Sequence, residues 1–162
     1  MSEELLKMSF LSGVITDFYV QLVPKLMEKY NDEQKVADIL KTFGRRLIIR
    51  FQAYWTPKSN GLTSILKETY RVIMRRSVRR VIEEEQGRKW SMVDSDCMLC
   101  GKGAKRFENL HYCTVMSGII EGGINNLRKK KEFEYLPKVT AETISSKSHG
   151  DKVCKHEITT VE

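Results

Sequence analysis

Residues 138–145 read Lys-Val-Thr-Ala-Glu-Thr-Ile-Ser, and residues 152–161 read Lys-Val-Cys-Lys-His-Glu-Ile-Thr-Thr-Val. Both stretches are rich in β-branched residues, which favour strands. The segment that joins them, Ser-Lys-Ser-His-Gly-Asp, is polar, and Gly150 is its expected turn residue. Together these segments predict a β-hairpin at the end of the sequence.

The hairpin is preceded by a segment that is rich in small residues. Residues 117–123 read Ser-Gly-Ile-Ile-Glu-Gly-Gly, inside a helix that we predict from about residue 108 to residue 128. Glycine costs a helix about 1 kcal/mol relative to alanine, so its repetition here indicates a packing role. Gly118 and Gly122 are one helical turn apart, and they predict a smooth face that another backbone can approach closely.

The first half of the chain has the periodicity of helices. Apolar residues recur at helical spacing from Phe10 to Leu26 and again from Val36 to Tyr54. Between these two stretches, Asn31 and Asp32 predict a turn and a helix N-cap. A loop is expected over residues 56–61, which are rich in turn-forming residues.

A third helix is predicted from Leu66 through Glu85, with its stop at Gln86 and Gly87, and a short strand is predicted over Lys89–Val93. One face of this helix is apolar, and the other carries arginines: Arg71, Arg75, Arg76, Arg79 and Arg80. A solvated helix face explains such a pattern in the simplest way. Contact with an acidic lipid or an acidic protein is the alternative.

The composition indicates one folded domain. The chain has 162 residues, and 41% of them are hydrophobic, which is enough to build a core and argues against a disordered protein. No uncharged apolar stretch is long enough to span a membrane, and the first residues lack the basic character of a secretory signal. We therefore expect a single cytoplasmic domain over residues 1–162. Its net charge of +7 fits simple solubility as well as binding to nucleic acid or to an acidic membrane surface.

The four cysteines form a candidate metal site. Cys97 and Cys100 make a CxxC motif, Cys113 lies 13 positions beyond Cys100, and Cys154 lies a further 41 positions on. In an intracellular protein, clustered cysteines more often bind metal or perform redox chemistry than form disulfides. Thiolates can complete a zinc tetrahedron, and a CxxC turn supplies two of them. We therefore predict a structural zinc site.

Two histidines offer alternative ligands for this site. His111 lies two residues before Cys113, and His156 lies two residues after Cys154, where a strand would point both side chains to the same face. The ligand set is thus either four cysteines or three cysteines and one histidine. Two other interpretations stay open: a redox-active CxxC, although no βαβ pattern surrounds it, and ordinary buried thiols.

The second half of the chain resembles a known family. The segments Met116–Gly122, Glu142–Ile144 and Gly150–Ile158 are similar to the 4-vinyl reductase domain family, whose members end in a comparable hairpin behind a helix of small residues. Archaeal members also look similar around Asp96–Cys100. The helical layout of the first half is similar to that of the transport-particle (TRAPP) subunits. Some TRAPP relatives carry an acyl chain on a cysteine just before the third helix, where this chain has Leu-Thr-Ser at residues 62–64, so we expect no covalent lipidation.

This resemblance implies an α+β fold, in which N-terminal helices pack on a twisted antiparallel sheet and a C-terminal helix and hairpin follow. It also implies a homodimer, and a sensor-like module that binds a small hydrophobic or aromatic ligand in an apolar pocket near the zinc site. His156 departs from the family, which usually has phenylalanine at this position. The candidate pocket residues, each equally able to serve as plain core, are Tyr70, Met74, Trp90 and Tyr112.

Motifs for catalysis are lacking in the sequence. It has no GxGxxG after a strand, no P-loop and no nucleophile elbow, so an enzyme, including a stand-alone reductase, is not favoured. The main alternative is a dimeric interaction subunit like those of TRAPP, with the Gly118/Gly122 face or the first helix as the dimer surface. Nucleic-acid binding is the third hypothesis, because no recognised motif accompanies its basic residues: Arg45, Arg46, Arg50 and the run 129–131.

Overall fold

The computed structural model describes residues 3–75, 77–78, 80–101 and 103–161, and it gives residues 3–16 as helical backbone only. Four helices and four strands are present in this part of the chain. In chain order they are α1 (Glu3–Tyr30), α2 (Glu33–Phe51), α3 (Leu62–Met74), β1 (Arg80–Glu84), β2 (Lys89–Asp94), α4 (Thr114–Leu127), β3 (Val139–Ser145) and β4 (Cys154–Thr160). The predicted α+β fold class is confirmed.

The sheet is antiparallel throughout, with the strand order β1-β2-β4-β3. Strands β3 and β4 form the predicted C-terminal hairpin, and Gly150 has the left-handed conformation that its turn requires. Alternate residues of β4 form the inner face of the sheet: Cys154, His156 and Ile158 are all fully buried. Their neighbours on β2 are Asp94, Met92 and Trp90 respectively, so one continuous buried row crosses two strands.

Helices α2 and α4 pack against each other almost without intervening side chains. A Cβ atom on Gly118 would overlap the carbonyl oxygen of Lys41, and one on Gly122 would lie 2.7 Å from the Cα of Arg45. In return, Gly44 of α2 lies directly against the backbone of α4. The small-residue face therefore belongs to the core of this chain, and it is not available as a dimer surface.

A partly buried ion-pair network crosses this helix pair and reaches the sheet. The carboxylate of Glu121 lies 3.0 Å from the Lys41 ammonium and 2.7 Å from the Arg45 guanidinium, both on α2. It also accepts a hydrogen bond of 3.1 Å from the backbone N–H of Ala141 on β3. One side chain of α4 thus connects both of its neighbouring elements.

Two predicted helix boundaries are wrong. The third helix ends at Met74, because Arg75 adopts a left-handed conformation, and Arg80–Glu84 is an edge strand instead of the last helical turn. The expected basic helix face is therefore broken after Arg71, and two of its members, Arg76 and Arg79, lie outside the described residues. The fourth helix begins at Thr114, not near residue 108, because the N–H groups of residues 108 and 109 donate to the Glu33 carboxylate.

Candidate functional site

The four cysteines meet at one end of the sheet. Their sulfur atoms all lie within 4.8 Å of one another, each residue is buried, and none forms a disulfide. The cluster consists of Cys97, Cys100, Cys113 and Cys154. These residues could hold a metal ion.

Three segments deliver these four thiols. Strand β2 ends at Asp94, whose carboxylate accepts a hydrogen bond of 2.8 Å from the N–H of Asp96 and so turns the chain into the CxxC motif. The motif itself forms a tight turn, with the Cys100 N–H donating to the Cys97 carbonyl at 3.3 Å. Cys113 is the N-cap residue of α4. Cys154 begins β4 and pairs with Asp94.

Hydrogen bonding within the cluster favours negative charge on one sulfur atom, that of Cys100. Hydrogen bonds with the thiols of Cys113, Cys154 and Cys97 lower the pKa of Cys100. Contact with Cys100 in turn raises the pKa of Cys97 and of Cys113. The backbone N–H of Lys147 donates to the Cys154 sulfur at 3.3 Å, and the N-terminus of α4 adds a positive dipole beside Cys113. A divalent metal would favour the ionised form of all four thiols.

The geometry of the cluster fits a tetrahedral metal site. Zinc–thiolate bonds of about 2.3 Å place neighbouring sulfur atoms of a tetrahedron about 3.8 Å apart. The observed limit of 4.8 Å is within about 1 Å of that separation, so small side-chain rotations would close the site. All four positions of such a tetrahedron would be protein ligands, which is the arrangement of structural zinc sites.

The two histidines lie near the cluster but do not belong to it. The Nδ1 of His111 is 2.9 Å from the Ser146 hydroxyl, and burial followed by the charge of His149 lowers its pKa. The Nδ1 of His156 is 3.0 Å from the Thr143 hydroxyl, and burial lowers its pKa to about 4. His156 and Cys154 do share one face of β4, as the sequence predicts, yet the group of clustered ligand atoms contains cysteines only.

A buried hydrogen bond connects the cysteine loop to helix α3. The hydroxyl of Tyr70 donates to the carboxylate of Asp94, and both residues are buried. Burial and the adjacent carboxylate raise the pKa of Tyr70 well above its ordinary value. Asp94 therefore has two partners, Tyr70 on α3 and the N–H of Asp96 in the loop. Asp94 is not among the site residues predicted from the sequence, although an aspartate that accepts from the N–H two residues later is a known turn signal.

A small apolar cavity lies between α3 and α4. Its volume is about 10 Å³, which is at the lower limit for one water molecule and far too small for an organic ligand. The residues around it are Leu66, Thr69, Tyr70, Met116, Ile120, Gly123 and Ile124. The Thr69 hydroxyl is buried and has no hydrogen-bond partner among the described residues. The cavity thus combines apolar walls with one unsatisfied polar group.

Only one of the four predicted pocket residues reaches this cavity. Tyr70 contributes to its wall, whereas Met74, Trp90 and Tyr112 are buried in other parts of the core. The phenol oxygen of Tyr112 accepts a hydrogen bond of 3.0 Å from the N–H of Lys105, beside the cysteine loop. The Trp90 indole N–H has no partner within the described part of the chain.

Comparison with known proteins supports the fold and leaves the family open. No family model matches the chain, and no curated protein matches it by sequence. The resemblance to the 4-vinyl reductase domain therefore stays a prediction. One similar crystal structure is a trafficking protein particle complex subunit 3 from Naegleria fowleri, covalently bound to palmitic acid, with a TM-score of 0.73 and 16% identity. That match covers 95% of this chain and 97% of the other.

A second similar structure is the phenol-responsive sensory domain of the transcription activator PoxR, solved with phenol. Its TM-score is 0.62 at 11% identity, and the match covers 90% of this chain and 74% of the other. At such identities the two comparisons show a shared fold. None of the helices within the described ranges has the length and the apolar character that crossing a membrane would require.

Proposed function

We propose that this chain is a sensor-like binding module, which holds a small hydrophobic or aromatic molecule between α3 and α4 and is stabilised by a structural zinc ion. The observation that carries the ligand part is the apolar cavity with the unpaired Thr69 hydroxyl at its wall. Buried polar groups are normally satisfied, so an unpaired one beside apolar space marks a place for a partner. The cysteine cluster carries the zinc part.

The two structural neighbours support a binding role. One holds palmitic acid and the other holds phenol, so this fold accommodates apolar molecules of very different length. The cavity of the present chain must expand before it admits either, because its volume is about 10 Å³. Expansion requires α3 to move relative to α4. Helix α3 is short, and it ends at Met74 because the next residue has a left-handed conformation. No further helical turn therefore extends α3 at this end.

The ligand proposal is tested with matched probes. Phenol, toluene and palmitic acid are titrated into the protein, and the rise in melting temperature and the heat of binding are measured. Saturable binding with a preference for phenol over toluene is expected, because Thr69 can pair with a hydroxyl. The isosteric Thr69→Val variant should fold, bind both aromatic probes and lose the preference. If none of the three probes binds saturably, the ligand proposal fails.

The zinc proposal is tested by metal content and thiol reactivity. We expect about one zinc per chain in protein purified without added metal, with its thiols shielded from alkylation until a chelator is added. The Cys113→Ser variant should lose the metal, and the His111→Asn variant should keep it, since His111 is bonded to Ser146 instead. Metal-free wild-type protein with freely reactive thiols would exclude a zinc site even if the serine variant fails to fold.

A homodimeric interaction subunit is the second candidate function, and exposed apolar residues favour it. Phe43 and Leu47 lie one turn apart on α2 and are 48% and 41% exposed, and Phe18 on α1 is 65% exposed. Sedimentation equilibrium of the Phe43→Glu variant should show a monomer where the wild type is a dimer. The Ile144→Glu variant on β3 is the matched control and should stay dimeric. A monomeric wild type at all concentrations would refute this role.

A further inference from the structure

The positive charge of this chain is concentrated in one short stretch. Residues 56–82 contain one acidic residue, Glu68, and seven basic ones, so they carry a net charge of +6 out of +7 for the whole chain. The basic residues are Lys58, Lys67, Arg71, Arg75, Arg76, Arg79 and Arg80. The zinc and ligand proposals use none of them. Such a concentration creates a positive potential over one part of the surface and attracts anions to it.

A concave groove lies within this stretch. It has a volume of about 330 Å³, which is in the range of small-ligand sites. Its walls are the loop before α3, the outer side of α3 and the segment after it: Ser59, Ser64, Lys67, Glu68, Arg71, Ser77 and Val78. None of these residues lines the apolar cavity, whose α3 residues are Leu66, Thr69 and Tyr70. The groove is therefore a separate site on the opposite side of the helix.

Glu68 is the one carboxylate among the described residues that line the groove, and backbone N–H groups already bind it. Glu68 accepts hydrogen bonds from the N–H of Lys58 at 3.0 Å and of Ser59 at 2.9 Å. Burial alone would raise the pKa of Glu68, but the hydrogen bonds from Ser59 and Lys58 and the charge of Arg71 lower it. Glu68 is thus ionised at neutral pH, and its function is to hold the loop as one wall of the groove.

Two cations line the groove among the residues that the structure describes. Lys67 and Arg71 lie one helical turn apart on the exposed side of α3, and neither forms an ion pair with a described carboxylate. The hydroxyls of Ser64 and Ser77, which also line the groove, add neutral donors. The N-terminus of α3 has no side-chain cap, and its third residue, Ser64, lines the groove, so the positive end of the helix dipole lies beside it.

We propose that this groove binds a phosphate monoester group. Such a group carries a charge of about −1.5 to −2 at neutral pH and has three acceptor oxygens. An arginine fork, an ammonium and hydroxyl donors are the partners that phosphate oxygens take in proteins. Lys67 and Arg71 outweigh the charge of Glu68, whose carboxylate is already hydrogen-bonded to the backbone, so these residues give the groove a net positive charge. Its concave shape suits a compact anion. The group could belong to a soluble phosphorylated metabolite or to the headgroup of a lipid, and the chemistry of recognition is the same for both.

The test uses the full chain and two sources of the same group. Glycerol 3-phosphate and inorganic phosphate are titrated while the amide resonances of Ser59, Ser64 and Ser77 are followed by NMR. In parallel, sedimentation is measured with phosphatidylcholine vesicles that either contain or lack phosphatidic acid. We expect saturable shifts of these amides, with glycerol 3-phosphate and phosphatidic acid as the soluble and the lipid source respectively.

Variants decide whether the binding belongs to the groove. The Lys67→Gln/Arg71→Gln double variant should weaken binding by roughly tenfold or more, since two charge-assisted contacts are lost. The Glu68→Gln variant should bind the phosphate group more tightly, because it removes a negative charge from the wall of the groove. The control variant Lys29→Gln/Arg46→Gln removes two exposed cations elsewhere and should leave the affinity unchanged.

Three results would overturn the proposal. The first is no saturable shift and no vesicle binding with any probe. The second is an equal loss of affinity in the control variant, which would mean general charge attraction. The third is weaker binding to Glu68→Gln while its amide spectrum stays native. Binding to glycerol 3-phosphate alone identifies a soluble ligand, and binding confined to phosphatidic acid vesicles identifies a lipid headgroup.

Discussion

The glycine at position 118 offers a strict test of how α2 and α4 pack. In the Gly118→Ala variant, the new methyl group would overlap the Lys41 carbonyl oxygen and would lie 2.8 Å from the carbonyl carbon and 3.0 Å from the Cα of that residue. All three atoms are backbone of a neighbouring helix, so no side-chain rotation relieves the overlap. The two helices must separate by about 1 Å at this point to restore ordinary contact distances.

The stability cost of overpacking in Gly118→Ala is partly offset by the higher helix propensity of alanine. Overpacking of a core costs about 1–3 kcal/mol, and the upper end applies here because backbone blocks the methyl group. A gap of 0.5–1 Å also forfeits about a quarter to a half of the dispersion energy of the atoms it separates. Alanine, however, gains about 1 kcal/mol over glycine in a helix. We therefore expect Gly118→Ala to lower the free energy of unfolding by about 2 kcal/mol, whereas helix propensity alone predicts an increase of about 1 kcal/mol.

Urea and thermal unfolding followed by circular dichroism measure this difference. For a chain of this length the expected loss corresponds to a melting temperature lower by roughly 4–8 °C. Gly123→Ala is the matched control in the same helix, because its methyl group would meet only side-chain atoms, the nearest being Ile48 Cγ1 at 3.1 Å. Gly122→Ala, at 2.7 Å from the Arg45 Cα, should fall between them. If Gly118→Ala is as stable as Gly123→Ala, the inferred helix contact is wrong.

Two further substitutions probe the polar core. Burial alone would raise the pKa of Glu121, but Lys41, the Ala141 N–H and Arg45 lower this pKa. The ionised carboxylate therefore stabilises the fold fully above pH ~4.5, and this stabilisation disappears as the pH falls through the lowered pKa. At neutral pH, the Glu121→Gln variant should therefore have a free energy of unfolding about 2 kcal/mol lower than that of the wild type, as measured by urea unfolding. On acidification to pH ~3, the free energy of unfolding should fall less in the variant than in the wild type. An equal fall in both proteins would contradict this. The Tyr70→Phe variant should have a free energy of unfolding about 1–2 kcal/mol lower than that of the wild type, because the Asp94 carboxylate loses a buried donor. It should also release zinc to a chelator faster than the wild type. An unchanged release rate would mean that Tyr70 does not support the cysteine loop.

Periodicity predicted those elements whose local preference agrees with their environment. The C-terminal hairpin was predicted because β-branched residues, a polar connection and Gly150 all favour the same structure. The packing role of Gly118 and Gly122 followed from the cost of glycine in a helix. The element that packs on these glycines could not be predicted, because a smooth helix face is equally suited to a helix of the same chain and to a second copy of the chain. Only the contact with Lys41 and Arg45 decides between them.

The end of the third helix could not be predicted from the same patterns. Residues 75–82 continue the mixture of apolar and basic residues found in α3, and this pattern is compatible with a helix and with a strand. What ends the helix is the left-handed conformation of Arg75, which no glycine or proline announces. Strand β1 then gains its hydrogen bonds from β2, a non-local partner. Tertiary pairing thus overrode a local helical preference.

The cysteine site was partly visible in the sequence. The CxxC motif indicates that Cys97 and Cys100 act together, but Cys113 and Cys154 are ordinary single cysteines by spacing alone. The sheet register brings Cys154 to the site, since the first residue of β4 pairs with the last residue of β2 just before the CxxC turn. Antiparallel pairing of β2 and β4 is therefore a precondition of the cysteine cluster, and no local signal specifies this pairing.

Tyr70 gives the two proposed sites a physical connection. Its ring forms part of the cavity wall, and its hydroxyl donates to Asp94 at the base of the cysteine loop. A ligand that enters between α3 and α4 must displace α3, and α3 can move only by stretching this buried hydrogen bond or by carrying Asp94 with it. Stretching is unfavourable, because among the described residues it leaves the buried Asp94 carboxylate with the Asp96 N–H as its one donor. Since a metal ion would hold the loop through four ligands, the same ion would resist the movement of Asp94, and zinc occupancy would set how easily the cavity opens.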